Sequence, residues 1–177
     1  MNSHPSVVGH AAALDSCSVV PLSAPALITP LQPARAGRVV VAGGGRDLLW
    51  SPQQIAAALV ARTSGQLVHG LLHGGARGAD RAIGRAARQL GWPVEVLPAD
   101  WRRYGRAAGP IRNRELLELA ISQAVALGTA AAPVAVLVVA FPGGAGTASL
   151  VQLARRMATS SPVPIAVAQI CQAPALP

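Results

Sequence analysis

Lysine is missing from the sequence: all fifteen basic residues are arginine, against seven carboxylates, and the formal charge is +8. That absence argues against a Walker-type phosphate loop, whose lysine reaches the β/γ-phosphates, and against Schiff-base catalysis, which needs a lysine amine. Arginine remains for planar, bidentate recognition of phosphate or carboxylate; a codon bias toward arginine is the alternative that requires no ligand. Cysteine is almost absent as well. Cys17 and Cys171 lie near opposite ends, a pattern with neither a disulfide framework nor a metal knuckle, so no metal is expected and a reducing, cytoplasmic setting is the simpler reading. One tyrosine, one phenylalanine and three tryptophans are a poor supply of stacking platforms for single strands. A nucleic-acid partner, which the charge alone would suggest, therefore ranks behind a small ligand.

No long hydrophobic run survives inspection. Leu119 to Ala154 carries no charge, but Gly128, Pro133 and Pro142-Gly143-Gly144 interrupt it at intervals too short for a spanning helix of about 20 residues. The N-terminus shows no basic region followed by a compact apolar stretch and a cleavage site, so neither membrane nor secretory targeting is expected. What is present is a chain of 177 residues, 51% hydrophobic and 12% charged, enough apolar surface for one core.

The organisation reads in three parts. Residues 1–36 form an Ala/Pro/Ser-rich segment expected to be a flexible tail, residues 37–170 form the domain, and residues 171–177 form a shorter Ala/Pro tail. Within the domain, short apolar runs alternate with helical periodicity, which predicts an α/β fold: a three-layer, Rossmann-like, doubly wound sheet of about five mainly parallel strands. Strands are expected at Arg38–Ala42, Gln66–His73, Pro93–Pro98, Val134–Phe141 and Val163–Val167. Ser51 and Pro52 should start the first helix. Ala79, Ala82, Ile83, Ala86, Ala87 and Leu90 form the inner face of the second, with Arg81, Arg85 and Arg88 solvated opposite. A loop from Ala99 should lead to a long helix over Ile111–Leu127 with Pro110 at its start, and the last helix should run from Ala148 to Met157.

Right-handed crossovers between parallel strands bring every strand-to-helix loop to one edge of the sheet. The unusual residues fall there. Gly43, Gly44, Gly45, Arg46 and Asp47 follow the first strand; His73, Gly74, Gly75, Ala76, Arg77, Gly78 and Asp80 follow the second; Pro142, Gly143, Gly144, Gly146 and Thr147 follow the fourth. Glycine permits close backbone approach to an anion, and the helix beyond offers free amides and a positive dipole end. The expectation is that these backbone amides converge on phosphate, with Arg46, Arg77 and Arg112 assisting and Thr147 capping its helix or donating to a phosphate oxygen. Purely steric turn glycines are the competing explanation for any one loop. Asp47 and Asp80 fit either helix capping or a ribose hydroxyl contact, and His73 fits a core hydrogen bond or a ligand contact. Asp100, Trp101 and Tyr104 stand in the loop after the third strand, where a ring can stack on a base or pack the loop. Arg112-Asn113-Arg114-Glu115 puts two cations near a positive dipole end, an arrangement that favours an anion unless Glu115 and Glu118 offset it.

The series VVVAGGGRD, HGGARGAD, PADWRRYGRAAGPIRNREL and VVAFPGGAGT resembles the YspA-type, YpsA-related branch of the SLOG superfamily of Rossmann-like nucleotide-binding domains over roughly Arg38 to Val167. The resemblance implies a fold shared with cytokinin-activating phosphoribohydrolases and with a DNA-processing protein that protects single strands. In the hydrolases the last motif reads PGGxGTxxE, with the glutamate acting in N-glycosidic cleavage beside an arginine that corresponds here to Arg112. This chain has Leu150 at the glutamate position, which counts against hydrolysis unless Asp80, Glu115 or Asp100 replaces it. The branch is associated with sensing or processing nucleotide-derived ligands, and relatives with this fold commonly form dimers through the helices flanking the sheet. Three readings follow in order: a binder of AMP-, NAD- or ADP-ribose-type ligands, as sensor or processing domain; a nucleoside monophosphate N-glycosidase; and a single-stranded DNA-binding protein.

Overall fold

The computed structural model describes residues 36–175. The segment expected as an N-terminal tail, with Cys17, lies outside the described residues apart from its last position. The described elements follow in the order β1 (Gly37–Gly43), α1 (Pro52–Thr63), β2 (Leu67–His73), α2 (Ala79–Gln89), β3 (Val94–Val96), α3 (Trp101–Tyr104), a 3-10 turn (Gly105–Ala107), α4 (Ala108–Leu127), β4 (Val134–Ala140), α5 (Ala145–Met157) and β5 (Ile165–Gln169). The strands form one parallel sheet in the order β3-β2-β1-β4-β5. The fold is therefore α/β and Rossmann-like.

Alternation along the central strands explains the layers. Val40 and Ala42 of β1, with Leu137 and Val139 of β4, point into a core closed by Ile55, Leu59 and Ile83 from α1 and α2. Val39, Val41, Val136 and Val138 point the other way, against Leu116, Leu117, Leu150 and Leu153 from α4 and α5. Strands buried on both faces need side chains that are apolar at every position, and the runs Val39–Ala42 and VAVLVVA supply them.

Helix α1 begins as expected. The Ser51 hydroxyl accepts from the Gln54 amide at 3.2 Å and the Gln54 side chain accepts from the Ser51 amide at 3.0 Å, a reciprocal capping box with Pro52 at the first position. Other boundaries differ from expectation. The loop after β3 contains helix α3, capped by the Asp100 carboxylate accepting from the Arg103 amide at 3.0 Å. Helix α4 begins at Ala108, so Pro110 occupies its third position, where a missing N–H costs no intrahelical bond. Helix α5 starts at Ala145 rather than Ala148. The edge strand β3 spans three residues only, and β5 lies two residues further along than its apolar run suggested. Among the described residues, no helix is long and apolar enough to cross a membrane.

Candidate functional site

The direction of winding reverses between β1 and β4: from β1 the chain winds outward through β2 to β3, then returns to lay β4 on the other side of β1. At such a switch point the loops leaving the two central strands part in opposite directions and open a crevice at the carboxyl edge. In-register pairing of Gly37–Gly43 with Val134–Ala140 delivers the two glycine loops side by side at that edge. A crevice of about 1270 Å³ lies there, lined by the loops after β1, β2 and β4, the Trp101 region and the start of α4.

The first two loops are closed by the protein's own groups, which corrects the expectation that all three present free amides. The Gly45 amide donates to the Pro142 carbonyl at 2.8 Å, and the Ala79 amide at the start of α2 donates to the Gly45 carbonyl at 3.0 Å. The Ala76 amide donates to Oδ2 of Asp80 at 3.1 Å, while the amides of Gly44 and Gly74 also face that carboxylate. The Gly75 amide donates to Nδ1 of His73 at 3.0 Å. Asp80 thus fills the anion cradle of the first two loops from within, at the favourable positive end of α2. Its carboxyl is pushed above the usual carboxylate range by burial, an effect only partly offset by the Ala76 amide, Arg112 and the amides of Gly44 and Gly74.

The third loop is different. Gly144 occupies the N-cap of α5, with no side-chain cap and no acidic residue in the first turn. Among the described residues, the amides of Ala145, Gly146 and Thr147 have no acceptor, so the dipole end of a thirteen-residue helix faces the crevice uncapped. Thr147 therefore does not cap the helix; its hydroxyl lies against Gly143, and Gly143 in turn packs on the Gly44–Gly45 backbone so closely that a Cβ would collide with both. A Cβ on Gly144 or Gly146 would meet open space.

Arg112 ties the two halves together. Its Nε donates to Oδ1 of the buried Asn113 at 3.2 Å, and Nδ2 of Asn113 donates to the Gly146 carbonyl at 3.2 Å. Nη1 of Arg112 lies 3.8 Å from Oδ2 of Asp80, an ion pair too long for a hydrogen bond, and that buried nitrogen has no hydrogen-bond partner. The guanidinium rests on Gly74, where a side-chain atom would occupy the same space. Burial lowers the Arg112 pKa from its ordinary value, Asp80 raises it, and nearby Arg46 lowers it further. Arg46 also stands over the half-exposed ring of Trp101, 5.9 Å from its centroid.

Most of the expected residues line this crevice, including Asp47 and the exposed Arg77, but five do not. His73 is buried, with its ring against Gly84 of α2 and its pKa lowered to about 4 by burial, then by Arg88 and Arg112. Gly78, at φ +79°, serves the junction with loop one, because a Cβ there would collide with the Arg46 carbonyl. Asp100 is occupied in capping α3. Tyr104 lies outside the crevice lining, under the Arg103 guanidinium at 4.9 Å. Glu115 is exposed on α4, three residues beyond Arg112 but away from the lining. The lining residues that were not anticipated include Leu116, four residues beyond Arg112 and hence on the same helix face, and Arg106 on the 3-10 turn. Leu150, 3% exposed, forms part of the crevice wall against Gly43. Among the described residues no group of three or more His, Cys, Asp or Glu side chains could hold a metal ion.

The family model of the YspA, cpYpsA-related SLOG family matches residues 37–104, from β1 through α3. No curated protein and no solved structure matches the chain.

Proposed function

Because the stretch from β1 through α3 matches the model of the YspA, cpYpsA-related SLOG family, we propose that the chain binds a nucleotide or nucleotide-derived ligand in the crevice at the sheet's carboxyl edge, as a sensor or processing domain. The observation that carries this reading is the uncapped start of α5 beside Arg112, whose buried Nη1 has no hydrogen-bond acceptor. Amides and guanidinium together suit a phosphate: the helix end supplies N–H donors and a positive dipole, and the arginine supplies a charge-assisted bond. Asn113 fixes the distance between them by bonding to both sides. Arg46 and Arg77, exposed on the crevice wall, would meet the remaining negative charge.

Binding is favoured over cleavage by the placement of the carboxylates. Leu150 stands where the hydrolases carry glutamate, Glu115 lies outside the crevice, and Asp80 is held by loop amides and Arg112. A general acid or base must reach the reacting atoms, and Asp80 is committed elsewhere. Saturable binding to AMP, NAD, ADP-ribose or a cyclic nucleotide is expected in a thermal-shift panel, weakened at least tenfold in Arg112→Gln, with no release of free base. A panel without any response would overturn the proposal.

A further inference from the structure

Trp101 stands out among the apolar side chains of the domain. It belongs to a four-residue helix with no buried residue, is 52% exposed, and yet lines the crevice. A large aromatic surface left in water is unfavourable by the apolar area it presents, so its display at a ligand site calls for a partner. Asp100 caps α3, and one edge of the indole faces Gly109 of α4, where a Cβ would make an ordinary van der Waals contact with Cη2 at 3.4 Å. The Arg46 guanidinium stands over the ring at 5.9 Å from its centroid, near the outer limit of a cation–π contact.

These contacts give the crevice wall an order. The start of α5 bonds to Asn113, Asn113 bonds to Arg112, Arg46 lies close enough to Arg112 to act on its charge, and Arg46 leads to Trp101. An anion-binding end and an aromatic face are thus joined by two arginines. Resting on the anion-site reading above, we propose that Trp101 is the platform for the heteroaromatic ring of the ligand, so that the site selects nucleotides over phosphosugars lacking a base. The ring takes the Trp101 face and Arg46 turns from it toward the ligand's phosphate.

Calorimetric titration of the full chain with AMP, GMP, CMP, UMP and ribose 5-phosphate tests this. Base–aromatic stacking corresponds to roughly a tenfold to hundredfold gain in affinity per base. The parent should bind the nucleotides tighter than ribose 5-phosphate by that factor, purines ahead of pyrimidines. Trp101→Ala should abolish the difference while leaving ribose 5-phosphate affinity unchanged, and Trp101→Phe should retain most of it. Equal affinity of the parent for ribose 5-phosphate and the nucleotides, or an unchanged ratio in Trp101→Ala, would overturn the assignment and leave the anion site standing. Parallel weakening of all five ligands in Trp101→Ala would likewise overturn it, because the residue would then be structural. Failure of all five ligands to bind the parent would overturn this assignment, and a parent that also fails with NAD and ADP-ribose would lose the anion site as well.

Discussion

At Gly74 a side chain is excluded by a guanidinium: any Cβ would lie within the space of Arg112. Gly74→Ala should therefore expel Arg112 from its ion pair with Asp80 and cost about 2 to 3 kcal/mol, chiefly by leaving a buried carboxylate without its cation. Arg112→Ala removes the same contact by another route. Urea unfolding of both single variants and the double should show losses that do not add, since Ala at residue 74 has nothing to displace once Arg112 is gone. His73 governs a separate property. Its folded-state pKa of about 4 lies below its ordinary value of 6.5, so the folded protein prefers the neutral ring; that stability is complete above pH 6.5 and is lost as pH falls toward 4, by up to roughly 3 kcal/mol. Asp80 acts in the opposite sense, because a raised carboxyl pKa favours the folded state as the group protonates. His73→Asn can keep an acceptor for the Gly75 amide without titrating. Unfolding curves at pH 7 and pH 4.5 should show a smaller acid loss in this variant than in the parent.

Among the elements, α5 starts three residues before its apolar spacing suggests, and its N-terminus has no side-chain cap. Gly144 at its N-cap has a negative φ, −93°, with ψ −148°, and open space around its Cβ position. Gly144→Asp should therefore be accommodated and should stabilise the helix by about 0.5 to 1 kcal/mol, as a carboxylate cap at a positive dipole end does. The same carboxylate would occupy the amides proposed for phosphate, so thermal unfolding should rise slightly while nucleotide binding disappears. Long elements were legible in the residues because their apolar spacing has one consistent explanation: RVVVA and VAVLVVA are strands buried on both faces, and the Ala79–Leu90 pattern is a helix with arginines outside. Ends were less legible where glycine and proline lie in a first helical turn, as at Pro110 and Gly146: both residues usually mark loops, and a first turn has no intrahelical bond for proline to lose. The three glycine loops meet at one edge of the sheet. What their spelling does not contain is which amides are already bonded: HGGARGAD includes the carboxylate that closes its own loop, whereas PGGAGT contains none.

At the scale of the whole molecule, the switch between β1 and β4 opens a crevice at one edge of the sheet, and the glycine loops gather there with Arg46, Arg77, Arg106 and Arg112. The charge of +8 contributes long-range attraction for any anion, but only the crevice adds geometry. A ligand held by a few short bonds should consequently show weak salt dependence, in contrast to a polyanion tracked over many arginines, whose affinity falls steeply with salt. Titrating AMP at low and physiological salt should therefore change its affinity by only a few fold. The central claim is that an anion sits on the free amides of α5 beside Arg112. Calorimetry of AMP, NAD and ADP-ribose against the parent and Gly144→Asp, with the melting temperature of each protein recorded, tests it most directly. The account predicts saturable, one-to-one binding of at least one of these ligands by the parent and none by an equally or more stable Gly144→Asp; the same affinity in both proteins, or no binding by the parent, would contradict it.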